Sequence, residues 1–309
     1  MSRLKVLIWA AASAVLAACG QAQQAPAAIA QCAALASNAH VSIAAGRLDR
    51  GDNRFEPEER VGGVGDVAAF DIDVHEVTNA QYAAFVAATR YVTVAERAGP
   101  DGAPMGAAVF DRGQARWRID PTANWRHPDG EASSIEGRDA YPVVAVAYED
   151  AQAFARWAQR RLPTENEWEF AARGPAPAPA DRRAEAFDAH GTPRANTWQG
   201  VFPFQDTGED GFAGLAPVGC FLANANGLYD MAGNVWEWAR SAYGPYPYDP
   251  SDLKREDLRS GSDVYRVVRG GSWFARRGGA RCASRAWSHP GDRDSGIGFR
   301  VVLRSSPVP

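Results

Sequence analysis

The sequence predicts a mixed domain of short strands and about three modest helices, joined by irregular, turn-rich backbone packed around aromatic side chains. Three observations carry this expectation. The 309 residues include 10 Trp and 30 Gly, and 46% of the chain is apolar, enough for a sizeable core. No segment keeps the long helical or alternating period that a helical bundle or a doubly wound sheet requires. After Ala39 there is neither a tandem repeat nor a dividing linker, so one domain is expected. The formal net charge of −4 argues against a nucleic-acid partner, which leaves the arginines with local work to do.

The elements can be assigned in order. His40-Val41-Ser42-Ile43 alternates as a strand, Gly46 to Asp52 reads as a turn, Gly62 to Gly65 as another, and Ala69 to Val74 as a second strand. Thr78 with Gln81 makes a capping box that opens a helix with Tyr82, Phe85 and Val86 on one face. Arg97 to Arg138 shows little pattern and is expected to fold as loops over the core, with a turn at His127-Pro128-Asp129-Gly130. Tyr141 to Val146 reads as a buried strand. It is followed by a helix from Glu149 to Gln159 with Phe154, Trp157 and Ala158 inward. A second capping box, Thr164 with Glu167, starts a third helix that stops at Gly174, and Pro175 to Ala180 is a loop. Tyr265, Val267 and Val268 form a late strand broken at Gly270-Gly271.

The first residues read as a targeting segment. Arg3 and Lys5 precede an apolar run from Val6 to Leu16 that is too short to span a bilayer as a mature helix. Leu16-Ala17-Ala18-Cys19 resembles a bacterial lipobox, so Cys19 is expected to be acylated, and Gly20 resembles outer-membrane sorting. The expected location is therefore the periplasmic side of the outer membrane. The plainer alternative is an ordinary cleaved secretory signal, and both readings export the chain. Residues 20–38 form a tether, 39–304 the domain and 305–309 a tail. In an oxidising compartment Cys32, Cys220 and Cys282 allow one disulfide and leave one thiol over, and the sequence does not choose the pair.

Four phrases occur in order: DIDVHEVTNAQY at residues 71–82, RLPTENEWE at 161–169, NGLYDMAGNVWEW at 226–238 and RVVRGGSWF at 266–274, with GFR closing the set at 298–300. By these the chain resembles the sulfatase-modifying-factor family, whose best-known members are formylglycine-generating enzymes. The resemblance implies an α+β fold, the family's variant of the C-type-lectin-like fold, over about residues 39 to 304. It also implies a chemistry in which a sulfatase-type cysteine, in a Cys-x-Pro-x-Arg peptide, becomes formylglycine. The enzymes carry one cysteine two residues after the Trp of GGSW and another five residues later, which together hold copper(I). Here the first position is Ala275 and the segment is shortened across the second, so copper is not expected. Cys282, at a position where relatives often carry a half-cystine, faces Ala172 at the usual partner position. One thiol does not reproduce a two-thiolate site.

Two clusters offer hard oxygens of the kind calcium takes. In the first, the resemblance implies the Asn196 and Asp210 side chains with the Thr197 and Phe212 carbonyls; the plainer alternative has these residues closing turns. In the second, Asp230 and Glu237 would grip a cation with the Gly233 and Val235 carbonyls. The alternative there makes Glu237 the partner of an arginine. The arginines Arg266, Arg269, Arg276, Arg277, Arg281, Arg285 and Arg300 interleave with Trp273, Phe274 and Trp287. They offer stacking and bidentate donors to a ligand, or are solvated and paired with acidic neighbours. The first alternative makes Ser272, Trp273, Arg276 and Arg281 a groove for a peptide or protein. Ser272 lacks the G-x-S-x-G context of a hydrolase nucleophile, and the five histidines are scattered without metal-ligand spacing. Two functions follow: a calcium-stabilised binding module on an exported lipoprotein, of the partner or immunity type that the resemblance includes, or a divergent periplasmic enzyme. The enzyme would carry out oxidative maturation of a peptide or siderophore chromophore, or sulfatase-type activation.

Overall fold

Strand β1 (His40–Ile43) is followed by the hairpin β2 (Gly46–Asp49) and β3 (Val64–Val67), then by β4 (Phe70–Asp73), helix α1 (Asn79–Thr89) and a second hairpin, β5 (Ala107–Asp111) and β6 (Arg116–Asp120). Helix α2 (Tyr148–Trp157), β7 (Arg160–Arg161), α3 (Glu165–Arg173) and the short pair β8 (Gly200–Val201) and β9 (Gln205–Asp206) come next. The chain ends in β10 (Trp236–Ala242), β11 (Arg266–Arg269), β12 (Arg285–Ser288), β13 (Ile297–Gly298) and β14 (Val302–Leu303). This computed structural model describes residues 32, 38–60, 63–173, 181, 184–244, 264–276 and 278–303. The expectations for Cys19, Gly174, the 175–180 loop, Arg277 and the tail lie outside these residues.

Two sheets frame the domain, ordered β1-β4-β14-β7 and β12-β11-β10-β13. Helix α1 begins at the expected box: the Thr78 hydroxyl accepts from Gln81 N–H and the Gln81 side chain accepts from Thr78 N–H. Its inward Tyr82 and Phe85 meet Phe154 of α2, Trp238 of β10 and Phe299 in one buried cluster. A second cluster joins Ile72 and Val302 to Trp168 of α3, Leu228 and Met231.

Four expectations need correction. Gly46 to Asp49 is strand rather than turn, because its backbone pairs with residues 64–67, which also moves Val64 and Gly65 out of the expected turn. The weakly patterned 97–138 stretch contains the β5–β6 hairpin, whose outer strand is exposed and so carries no burial signal. Residues 142–147 are buried but form no strand: the Val143 N–H goes to Val77 O and the Ala145 N–H to Asp294 O, and Ala145 has φ +58. Trp157 is 42% exposed, packing on Phe85 and Phe154 from outside the cluster. Of the pairings that the sequence left open, the one formed is Cys32–Cys220, which leaves Cys282 as the free thiol among the described residues.

Candidate functional site

The phrases that carry the family resemblance fold onto one another through buried ion pairs. Glu165 and Glu169 lie one turn apart on α3, so both side chains share a helix face. That face meets Arg269 of β11, which donates to Glu165 at 3.1 Å and to Glu169 at 2.7 Å, while Arg285 of β12 also holds Glu165. Arg300 binds Glu237 with two 2.7 Å bonds, and Trp168 Nε1 adds a third at 2.8 Å. For these arginines the paired alternative holds. Arg281, expected in the groove, is likewise spent inside the fold: it forms a buried pair with Glu59 and lies over the Phe55 ring.

The loop after β11 builds one wall of a cleft of about 380 Å³. Ser272 is fully buried. Trp273 is 7% exposed, donates Nε1–H to Ser295 O at 3.0 Å and lines the cleft. Its ring stacks on Trp198 at 6.2 Å, and an unbroken circuit of ring contacts runs through Phe274, Trp117, Phe110 and Phe202 back to Trp198. Arg276 is exposed. Ala275 is held by its carbonyl, which accepts from Trp198 N–H at 3.2 Å. Cys282 lies in a different cavity, beside Ala172, Leu228 and Met231, and its Sγ donates to Ala172 O. Burial and the nearby Glu185 push its thiol well above the ordinary range, so it is not a thiolate at neutral pH.

The two oxygen clusters are neighbours. Asn196 and Asn234 bond side chain to side chain at 3.0 Å, and Asn234 N–H donates to Asn196 O at 2.9 Å. A Cβ on Gly233 would lie 2.2 Å from Asn196 O, so only glycine fits that approach. In the first cluster Asp210 accepts from Thr197 N–H, Gln199 Nε2 and Phe212 N–H. Burial raises its carboxyl, and the charge prominent beside it is another carboxylate, Asp206. The Thr197 carbonyl accepts from Gln199 at 2.6 Å, so a cation would share it.

The second cluster contains a residue that the sequence reading missed. Glu76 is fully buried, with Oε1 accepting from Asn234 and Oε2 without a hydrogen-bond partner among the described residues. Burial and the Asp230 and Glu237 carboxylates raise its pKa well above the usual range, and Asp230 is itself pushed up to about 6. Three carboxylates thus act on one another with Arg300 as their cation. No three His, Cys, Asp or Glu side chains converge as a metal-ligand group among the described residues. A cation here would draw on amide and backbone oxygens as well, which suits calcium better than a transition metal. The orphaned Glu76 oxygen fits such an ion.

A family description, the sulfatase-modifying factor enzyme 1-like domain, matches residues 26–305. The chain belongs to this family. Among curated relatives, the formylglycine-generating enzyme of Mycobacterium tuberculosis is 41% identical over 289 residues, covering 85% of this chain and 96% of the relative. The inactive C-alpha-formylglycine-generating enzyme 2 of Mus musculus is 38% identical over 256 residues, covering 76% and 75%. Among solved structures, PvdO from Pseudomonas aeruginosa superposes with a TM-score of 0.60 at 26% identity, covering 85% of this chain and 93% of its own. The α+β, C-type-lectin-like fold expected for the family is the one observed.

Proposed function

We propose that this protein is an exported, calcium-stabilised member of the family that binds a peptide or protein segment in the cleft beside Trp273 and does not oxidise cysteine with copper. The observation that carries the reading is the placement of sulfur: Ala275, two residues after the cleft-lining Trp273, has no thiol, and the free thiol among the described residues, Cys282, is in another cavity with its proton held on. A relative described as inactive, 38% identical, shows that this family includes members without the activity. The 41% identity to a formylglycine-generating enzyme favours the second reading, a divergent enzyme. One assay separates the two. Copper-loaded protein is incubated with a Cys-x-Pro-x-Arg peptide and read by mass spectrometry; no formylglycine is expected, and turnover comparable to an authentic enzyme would overturn the binding reading.

Export is part of this proposal, with Cys19 as the lipid anchor. So is calcium, held by Asn196, Thr197, Asp210 and Phe212 in one cluster and by Asp230, Gly233, Val235 and Glu237 in the other, with Glu76 added to the second. An ion that binds only native loops stabilises the fold by about 2.7 kcal/mol when free calcium is a hundred times its dissociation constant. Chelation is therefore expected to lower the melting temperature, and added calcium to restore it. An unchanged melting temperature together with calcium-free purified protein would remove the assignment.

A further inference from the structure

The cleft beside Trp273 carries more positive charge than its walls neutralise. Arg112, in the turn of the β5–β6 hairpin, places its guanidinium 5.4 Å from the Trp198 ring centroid and 5.8 Å from that of Trp273. Arg138, on the same cleft, lies 5.5 Å from the Tyr141 ring. Both are exposed, and neither guanidinium makes a hydrogen bond or an ion pair with any described residue. The aromatic faces therefore position the two groups without using their N–H donors, which remain available in the plane of each fork. The carboxylate lining the cleft is Asp129, and both arginines act on it from a distance. Two guanidiniums face one carboxylate. A cationic ligand is disfavoured, because the indole faces that would attract it already carry Arg112.

We propose that the cleft selects a peptide bearing an acidic side chain, aspartate or glutamate, whose carboxylate is taken by Arg112 and Arg138 while its backbone lies against Trp273. This rests on the peptide-binding reading and specifies the ligand for it. An Arg–carboxylate pair has the matched fork geometry that makes such bonds strong, and the aromatic walls lower the local dielectric in which it forms.

The test uses three acetylated and amidated peptides, Ala-Ala-X-Ala-Ala with X as Glu, Gln or Lys. Each is titrated into the full mature chain and followed by NMR at the Trp273 indole signal, assigned with Trp273→Phe. The Glu peptide is expected to bind about tenfold more tightly than the Gln peptide. The difference should disappear in the Arg112→Ala, Arg138→Ala double variant, whose exposed positions leave folding intact. Equal binding of Glu and Gln peptides, or a preference for Lys, overturns the acidic-ligand inference and leaves peptide binding standing. No shift with any peptide overturns both.

Discussion

Replacement of Arg300 by alanine is expected to destabilise the domain by about 3–5 kcal/mol, the cost of leaving buried charge without its partner. Arg300 and Glu237 are both fully buried, and the same guanidinium offsets Glu76 and Asp230. Its removal leaves three carboxylates in one apolar region. Chemical denaturation at pH 7.5 checks the size, and a loss below about 1 kcal/mol would mean that the pair behaves like an exposed one. The double variant Arg300→Met, Glu237→Gln should recover part of the loss, since it neutralises the carboxylate that Arg300 pairs directly while Glu76 and Asp230 remain. The pH dependence has a definite sign. In the calcium-free chain Asp230 titrates at about 6 in the fold against an ordinary value of 3.8. A raised folded pKa favours the protonated native form, so that contribution is full below the ordinary value and is lost as pH rises towards about 6. Without Arg300 the carboxyls rise further, and the variant should lose stability up to a higher pH than the parent chain.

Trp273→Ala is expected to cost a further about 3–5 kcal/mol, as deletion of a packed aromatic generally does. The indole stacks on Trp198, meets Phe274 edge to face at 5.3 Å and donates to Ser295 O, so truncation opens the aromatic circuit and strands a carbonyl. Trp273→Phe keeps most of the ring packing and loses the hydrogen bond, for about 1–2 kcal/mol. Melting and ligand titration on the same two variants separate packing from recognition. If Trp273→Ala stays as stable as the parent, the residue is a surface anchor and the circuit contributes little. If the Phe variant is folded but no longer binds, the indole itself contacts the ligand.

Much of the fold was legible because capping boxes and alternating strands are local signals. Thr78 with Gln81 and Thr164 with Glu167 cap the helices they were expected to cap. The β2–β3 hairpin was not legible, since glycine in Gly46-Arg47-Leu48-Asp49 reads as a turn until a partner strand fixes it. The arginines illustrate a harder limit. Alternation of Arg with apolar residues is the same whether the guanidinium meets water, a ligand or a buried glutamate, and only the approach of α3 to β11 and β12 decides between them. At the candidate site, Trp273 was legible from its motif. Arg112 and Arg138 were not, because they come from a hairpin and a turn with no pattern of their own. Glu76 was readable in principle: a carboxylate between Val74, His75 and Val77 in a run that is buried throughout has to meet a compensating group.

The position of β14 has a kinetic consequence. Val302 sits between Ile72 of β4 and Arg161 of β7, so the last described strand is an interior member of the sheet that the first strand begins. Loop-closure entropy must be met before such a distant pairing is rewarded, which makes late assembly slow. During synthesis, β1 and β4 emerge early and can pair, but the inner edge of β4 stays open until β14 is made. A truncation of only the last strand would therefore leave an exposed strand edge in the N-terminal half, far along the chain from the deletion, and that edge is where aggregation of the nascent chain would begin.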